Sequence, residues 1–447
     1  MAILSIFNAF SQDIAGEWNG AINVMGQELP VVFHIEKSAD GFTSSMDSPK
    51  QKAFGIVMAE TIFANDSLFI KSGLGFSYKG FLTAGKGFSG EFTQNGRMFP
   101  LMLGREKIQV SPPNRPQKPQ KPYPYLSEDV FFKNEKAEIT LAGTLTLPKE
   151  KGKFPAVILI SGSGPQNRNE ELLDHKPFLV LSDYFTRNGI AVLRYDDRGT
   201  SESEGNFSTA TSADFATDVE AALNYLRTRK EINKDQIGLI SHSEGGMIAP
   251  MVASKSDKVA FLVLLAGTGI PGDKLLLLQN ELIGKAYGMN KAQLEAAKNI
   301  NRNMYQIVTT STHVDSLKTK LARFIKINSP SVSETQLQMQ VDQISSPWMQ
   351  FFLKYDPSST LQKIDVPVLA INGENDLQVP AEVNLNAIET ALKKGGNKNV
   401  TTKILPGLNH LFQESETGLP AEYGKIEQTF SLVAMELILN WIKTQVN

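Results

Sequence analysis

Hydrophobic and polar positions follow two different rhythms along this chain of 447 residues. From about Asp13 to Gln109, short apolar or alternating runs recur, among them Leu29–Ile35, Ser67–Ile70, Phe76–Phe81 and Gly90–Thr93. Gly-rich and Asn/Asp-rich turns separate them at a spacing of roughly ten residues, which predicts a small all-β sandwich or barrel over residues 12–110. Trp18 falls at the start of the first strand, where a large ring is expected to plug the core.

The second rhythm begins after a stretch rich in proline. Ser111–Pro124 carries Pro at 112, 113, 116, 119, 122 and 124. Such a composition favours extended, semi-rigid backbone, so residues 111–126 are expected to be a linker. Beyond it, two antiparallel strands are predicted around Asp129–Phe132 and Ile139–Leu147. Near-continuous apolar runs follow at Ala156–Ile160, Ile190–Tyr195, Ile237–Ile240, Ala260–Leu265 and Val366–Ile371. Runs of this kind suit strands covered on both faces. Helical spacing lies between several of them, as in Asp214–Arg227, where Phe215, Val219, Ala222, Leu223 and Leu226 share one face. Strands alternating with helices predict an α/β fold with a mostly parallel sheet over residues 127–447. The alternation breaks from about 271 to 353, where only helical patterns rich in Leu, Lys, Gln and Glu occur. That interval is expected to be a helical cap over the carboxyl ends of the strands, with the pocket between cap and sheet.

Composition narrows the chemistry. With 41% hydrophobic and 21% charged residues and a net charge of −2, the chain fits a globular protein with a large core. No strong field favours nucleic acid or an anionic membrane, and no run predicts an integral membrane span. There are no cysteines, which excludes disulfides, thiolate zinc sites and cysteine nucleophiles. Residues 1–11 are apolar and end in small residues at Ala9 and Ser11, so they are read as a signal-peptide remnant cleaved before Gln12. No basic residue precedes Lys37, which is atypical of such a segment. Export to the periplasm or the exterior is the expectation, with a cytoplasmic location as the alternative.

Four short motifs carry chemistry. Ser241-His242-Ser243-Glu244-Gly245 follows a predicted strand and precedes a helical stretch, the layout of a nucleophile elbow, with Ser241 where glycine is usual. Ile160-Ser161-Gly162-Ser163-Gly164-Pro165 is a small-residue loop after an early strand. It lacks the Lys-Ser/Thr of a phosphate-binding loop and the full glycine pattern of a dinucleotide fold. Gly373-Glu374-Asn375-Asp376 ends a late strand. His410 lies in a Gly/Asn loop further on, in Gly407-Leu408-Asn409-His410.

Together these motifs resemble the α/β-hydrolase superfamily over about Ser127–Asn447. The lead-in Leu141–Pro148 and the segment Trp348–Pro357 are similar to bacterial two-domain carboxylesterases with an N-terminal β domain and a helical cap. Gly16-Glu17-Trp18 is similar to the first strand of lipocalin-like barrels. The resemblance implies the chain order nucleophile, acid, base. Of the five histidines, His34 and His175 precede the serine, His242 adjoins it and His313 falls in the cap, which leaves His410 as the base. Asp376 is the implied acid, ahead of Glu374. The oxyanion hole is expected from the backbone N–H of Glu244 and of Ser163, with Gly162 as the nearest rival. Tyr195–Ser201 is similar to a loop that braces the oxyanion loop.

The resemblance implies a serine carboxylesterase acting on small-molecule esters of short-chain acids through an acyl-enzyme, with no cofactor and no metal. A prolyl-oligopeptidase-type exopeptidase, a sugar or xylan acyl esterase and a non-catalytic binding protein are the alternatives. Three roles are open to the β region: shaping the pocket, forming a homodimer, or stabilising the fold.

Overall fold

The computed structural model describes residues 13–24, 27–51, 53–83, 86–94, 97–108 and 113–446. The segment read as a signal-peptide remnant lies outside them. The chain divides into two compact units between Pro112 and Pro113.

In the first unit eight strands run as an antiparallel meander, each paired with the next. They are β1 (Gly16–Val24), β2 (Gln27–Ser38), β3 (Gly41–Ser48), β4 (Ala53–Ala64), β5 (Ser67–Ser72), β6 (Phe76–Thr83), β7 (Gly87–Gln94) and β8 (Arg97–Leu103). Asn19 of β1 and Gly104 exchange two backbone hydrogen bonds of 2.7 and 2.8 Å, which brings the ends of the meander together as a near-barrel. Alternate residues point inward, so Phe33, Leu68, Ile70, Tyr78, Phe88 and Leu103 are buried in one core. Trp18 is buried among them, with Phe88 edge-on at 4.6 Å. Its Nε1–H donates to the Ile14 carbonyl at 2.8 Å, and the Arg105 guanidinium lies 3.8 Å from its ring centre. The indole therefore plugs the core with its one polar group satisfied.

The second unit is built on a mixed sheet of eight strands. These are β9 (Leu126–Asn134), β10 (Ile139–Leu147), β11 (Phe154–Ile160), β12 (Ala191–Tyr195), β13 (Ile232–His242), β14 (Leu262–Leu265), β15 (Val368–Gly373) and β16 (Val400–Leu405). Their spatial order is β16-β15-β14-β13-β11-β12-β10-β9. From β11 to β16 all pairings are parallel, and the β9–β10 hairpin adds the antiparallel edge. The chain leaves β11 toward β12 on one side and returns to β13 on the other. That reversal is the switch point at which open α/β sheets place their sites.

Both faces of the sheet are covered. Ala156, Ile158 and Ile160 of β11 pack with α2 (Ser212–Thr228), α3 (Gly245–Ala253) and α10 (Ala381–Lys394), while Val157 and Leu159 pack with α1 (Pro177–Arg187) and α11 (Leu432–Val446). Period-two alternation with both faces buried is why these strands read as unbroken apolar runs. Between β14 and β15 lie α4 (Gly272–Ala286), α5 (Lys291–Thr310), α6 (Val314–Asn328), α7 (Glu334–Ile344) and α8 (Pro347–Lys354). Their own core is Tyr305, Val308, Leu317, Leu321, Ile325, Leu337, Val341 and Leu353. Capping boxes at Asn290 and Ser333 start α5 and α7. The short α9 (Ser358–Leu361) leads into β15.

The proline-rich segment departs from its expected role as a free spacer. From residue 113 it is bound to the second unit. The Arg115 guanidinium donates to the carbonyls of Leu173, Gly424 and Ile426, and Gln117 bonds the backbone of Thr429 and Phe430. Two polar side chains thus anchor a backbone that proline deprives of its own donors.

The inner face depends on a close approach. A Cβ at Gly238 would sit 2.1 Å from the Phe261 ring, which is fully buried and edge-on to Trp441 at 5.8 Å. Phe261→Ala is expected to cost about 3–5 kcal/mol in denaturant unfolding. A loss below about 1 kcal/mol would contradict this packing.

Candidate active site

Ser243 sits between the end of β13 and the start of α3 with φ of +53°, a region that costs an L residue backbone energy. Its N–H donates to the Leu265 carbonyl at 2.9 Å, so the strained turn is pinned to β14. Neighbouring residues are small because space is lacking. A Cβ on Gly245 would lie 2.7 Å from the Ile160 carbonyl oxygen, and one on Gly246 would lie 2.5 Å from the Gly267 Cα. Ser241 is fully buried and is absent from the positive-φ residues, so a small side chain fits where glycine is usual.

Two loops from the carboxyl ends of the late strands converge on Ser243. His410 Nε2 lies 3.1 Å from Ser243 Oγ, and His410 Nδ1 lies 2.8 Å from Asp376 Oδ2. Asp376 Oδ1 accepts the N–H groups of Gln378 and Val379, both at 2.8 Å, which fixes the carboxylate. Glu374 is exposed and accepts the Gly407 N–H, so it shapes the loop and does not reach His410. The other histidines are occupied elsewhere. His34 pairs with Asp47, and His313 stands at the residue before α6. His175 is buried against the Tyr423 carbonyl and Thr429, and burial pushes its pKa down to about 4.

The oxyanion side corrects one expectation. The Gly162 N–H is committed to Glu170 Oε1 at 2.8 Å and is not free to meet a developing charge. Gly162 serves by lacking a side chain: a Cβ there would lie 3.1 Å from Ser243 Cβ. Among the described residues no hydrogen bond within the protein engages the N–H of Ser163 or of Glu244.

Two buried carboxylates that the sequence reading did not single out hold this arrangement. Glu170 Oε1 accepts from Gly162 and also from His242 Nδ1 at 2.9 Å, while His242 Nε2 faces the His410 carbonyl at 2.9 Å. A carbonyl can only accept, so Nε2 carries a proton, and the doubly engaged carboxylate oxygen calls for a proton on Nδ1 as well. Burial disfavours a charge on His242, but Glu170 and the His410 carbonyl raise its pKa overall. The Glu170–His242 pair thus ties the loop after β11, the end of β13 and the His410 loop together. The Glu244 carboxylate accepts from Ser212 Oγ at 2.6 Å and Trp348 Nε1 at 2.7 Å, and also bonds the Ser163 side chain. Burial raises its pKa. Helix α8 is thereby fastened to the residue after Ser243. A histidine beside the elbow serine was the available signal for the first pair; a glutamate in the elbow was the signal for the second.

Asp197 braces the oxyanion loop from below, accepting from Ser161 Oγ at 2.8 Å and the Gln166 N–H at 2.9 Å. Arg168 does the same one step away, with Asp196 Oδ2 at 2.6 Å. No group of three or more His, Asp or Glu residues able to hold a metal occurs among the described residues.

Burial pushes Asp197 up to about 8 from the ordinary 3.8. The folded chain then binds more protons here than the unfolded chain. This contribution to stability is complete below the unfolded pKa and is lost as pH rises through the folded one. Asp197→Asn is expected to flatten the decline of stability between about pH 4 and 8, by up to about 1.4 kcal/mol per pH unit, in denaturant unfolding at several pH values. An unchanged slope would refute it. Glu170→Gln and His242→Gln are each expected to slow fluorophosphonate labelling of Ser243 by about 10- to 100-fold, because misplacement of reacting groups by about 1 Å costs that much. Parental labelling rates in both variants would show that the ion pair positions nothing.

Two family profiles match the chain, "BAAT / Acyl-CoA thioester hydrolase C terminal" over residues 219–414 and "Acyl transferase" over residues 128–276. Esterase EstD of Thermotoga maritima is 26% identical over 305 residues, covering 67% of this chain and 65% of that protein. Mouse acyl-coenzyme A thioesterase 1 is 31% identical over 125 residues, 28% of this chain and 26% of that protein. The chain thus spans just under two thirds of the esterase and about a quarter of the thioesterase. Among solved structures, a Pyrococcus furiosus esterase aligns at 14% identity with a TM-score of 0.45, over 76% of this chain and all of that one. The strand order and the strained serine turn already described give the second unit an α/β-hydrolase fold, and the matched profiles and the esterase are what the chain is similar to.

Proposed function

We propose that the second unit is a serine carboxylester hydrolase that works through an acyl-enzyme. The observation that carries this reading is the chain of contacts from Asp376 to His410 to Ser243, at 2.8 and 3.1 Å, beside two unengaged backbone N–H groups. Ser243 Oγ attacks the ester carbonyl as His410 Nε2 takes its proton. The carbonyl oxygen becomes an oxyanion between the N–H groups of Glu244 and Ser163. The tetrahedral carbon expels the alcohol, which receives the proton from His410. Water then enters by the same route and releases the acid, restoring Ser243 Oγ–H. Asp376 holds the ring so that Nε2 faces the serine and stabilises the imidazolium that forms.

A thioester reading shares every step except the leaving group. Two observations favour keeping it: the acyl-CoA thioester hydrolase profile and the thioesterases among the relatives. Purified full-length protein assayed on p-nitrophenyl acetate and butyrate, butyryl-CoA and an aminoacyl anilide separates the readings. Short-chain ester turnover is expected to dominate. Dominant thioester turnover would select the second reading, and dominant anilide turnover would overturn both in favour of a peptidase. Ser243→Ala is expected to lower kcat by at least about four orders of magnitude, and Asp376→Asn by about four. A Ser243→Ala protein that keeps the parental kcat would end the serine mechanism.

A further inference from the structure

Arg194 is the fourth residue of β12 and is only 4% exposed, yet no carboxylate lies within ion-pair distance of it among the described residues. Its one hydrogen bond runs from Nη1 to the side-chain oxygen of Asn169, and its Nε is buried without a partner. Burial pushes the guanidinium down to about 10. A buried, unpaired charge of this kind is costly and calls for a counter-charge.

Arg194 lines a cleft of about 700 Å³ bounded by Lys121, Tyr123, Tyr125, Arg168 and Asn169. The charges of the cleft are not interchangeable. Arg168 is saturated by Asp196, Glu202 and Asp129, so it offers nothing to a ligand. That leaves Arg194 and the exposed Lys121, whose ammonium lies 5.9 Å from the Tyr123 ring centre, as the cations of the cleft without a carboxylate partner. Two such charges beside three spent carboxylates fit a small monoanion and not a polyanion. Tyr123 and Tyr125 stack at 5.2 Å with ring planes 8° apart, and the Tyr125 hydroxyl is held by Asp183 at 2.8 Å. They supply a flat, oriented wall.

We propose that this cleft binds a small carboxylate carrying a flat apolar group, its carboxylate on the Arg194 guanidinium and its plane along the tyrosine pair. Guanidinium and carboxylate are matched in geometry as well as charge. The site is joined to the candidate active site through one short segment. Asn169 takes the Arg194 hydrogen bond, and the next residue, Glu170, holds the Gly162 N–H and His242. A ligand that draws Arg194 away from Asn169 acts on the residue beside Glu170.

The test is calorimetric titration of full-length protein with benzoate and with its uncharged counterpart benzamide, before and after Ser243 is blocked by a fluorophosphonate. Benzoate is expected to bind saturably in both forms with a dissociation constant on the order of 1 mM, the scale for so small a ligand. Benzamide is expected to bind at least roughly tenfold more weakly, and Arg194→Gln to lose benzoate by a similar factor. Tyr123→Ala, at a half-buried rim position, is expected to weaken benzoate severalfold and serves if Arg194→Gln does not fold. Equal binding of benzoate and benzamide, loss of benzoate binding on blocking Ser243, or unchanged affinity in the Arg194→Gln or Tyr123→Ala protein would overturn the proposal. If the fluorophosphonate does not label Ser243, the benzoate, benzamide, Arg194→Gln and Tyr123→Ala comparisons still decide the proposal, whether or not the protein hydrolyses esters.

Discussion

The backbone of Ser243, held at φ +53° where β13 turns into α3, is the constraint on which the second unit depends. A serine there is lifted above the sheet only because nothing around it has room for a side chain. Gly162, Gly245 and Gly246 each sit where a Cβ would press on Ser243 or on the backbone of β11 or of the loop after β14. The strain persists because the parallel strands on either side over-determine it, through the Ser243 hydrogen bond to Leu265 and the fully buried side chains of β11, β13 and β14. The same tightness sets the distance to His410.

Around that turn the protein spends buried charge sparingly. The Glu170–His242 pair, the Glu244 carboxylate and Asp197 are nearly dry, and between them they hold the loop after β11, the His410 loop and α8 around Ser243. In a site of low dielectric such contacts are strong when complete and expensive when broken, so they restrict the loops to one arrangement. Helix α8 joins this scheme through the Trp348 indole. Its N–H donates to the side chain of Glu244, the residue after Ser243. That hydrogen bond couples the packing of α8 to the turn at Ser243.

Much of this was legible in the chain. Apolar runs reveal strands buried on both faces, and the missing strand signal from 271 to 353 reveals the five helices α4–α8. The order of residues selects His410 from five histidines, because a base after the last strands can reach a serine at the switch point. What escaped the sequence is pairwise and long-range. Nothing near Glu170 announces that His242, 72 residues away, is its partner. The choice between Gly162 and Ser163 as donor turns on which amide Glu170 has already taken. The proline-rich segment reads as a spacer until Arg115 and Gln117 meet carbonyls and amides more than 300 residues further along.

The central claim is that Ser243 becomes covalently acylated. Acid quenching of the full-length protein during turnover of p-nitrophenyl butyrate, followed by peptide mass spectrometry, tests it most directly. The account predicts a butyryl adduct on the Ser243 peptide that accumulates in a burst and is absent in Ser243→Ala. Turnover with no adduct on Ser243, or an adduct on another residue, would contradict it.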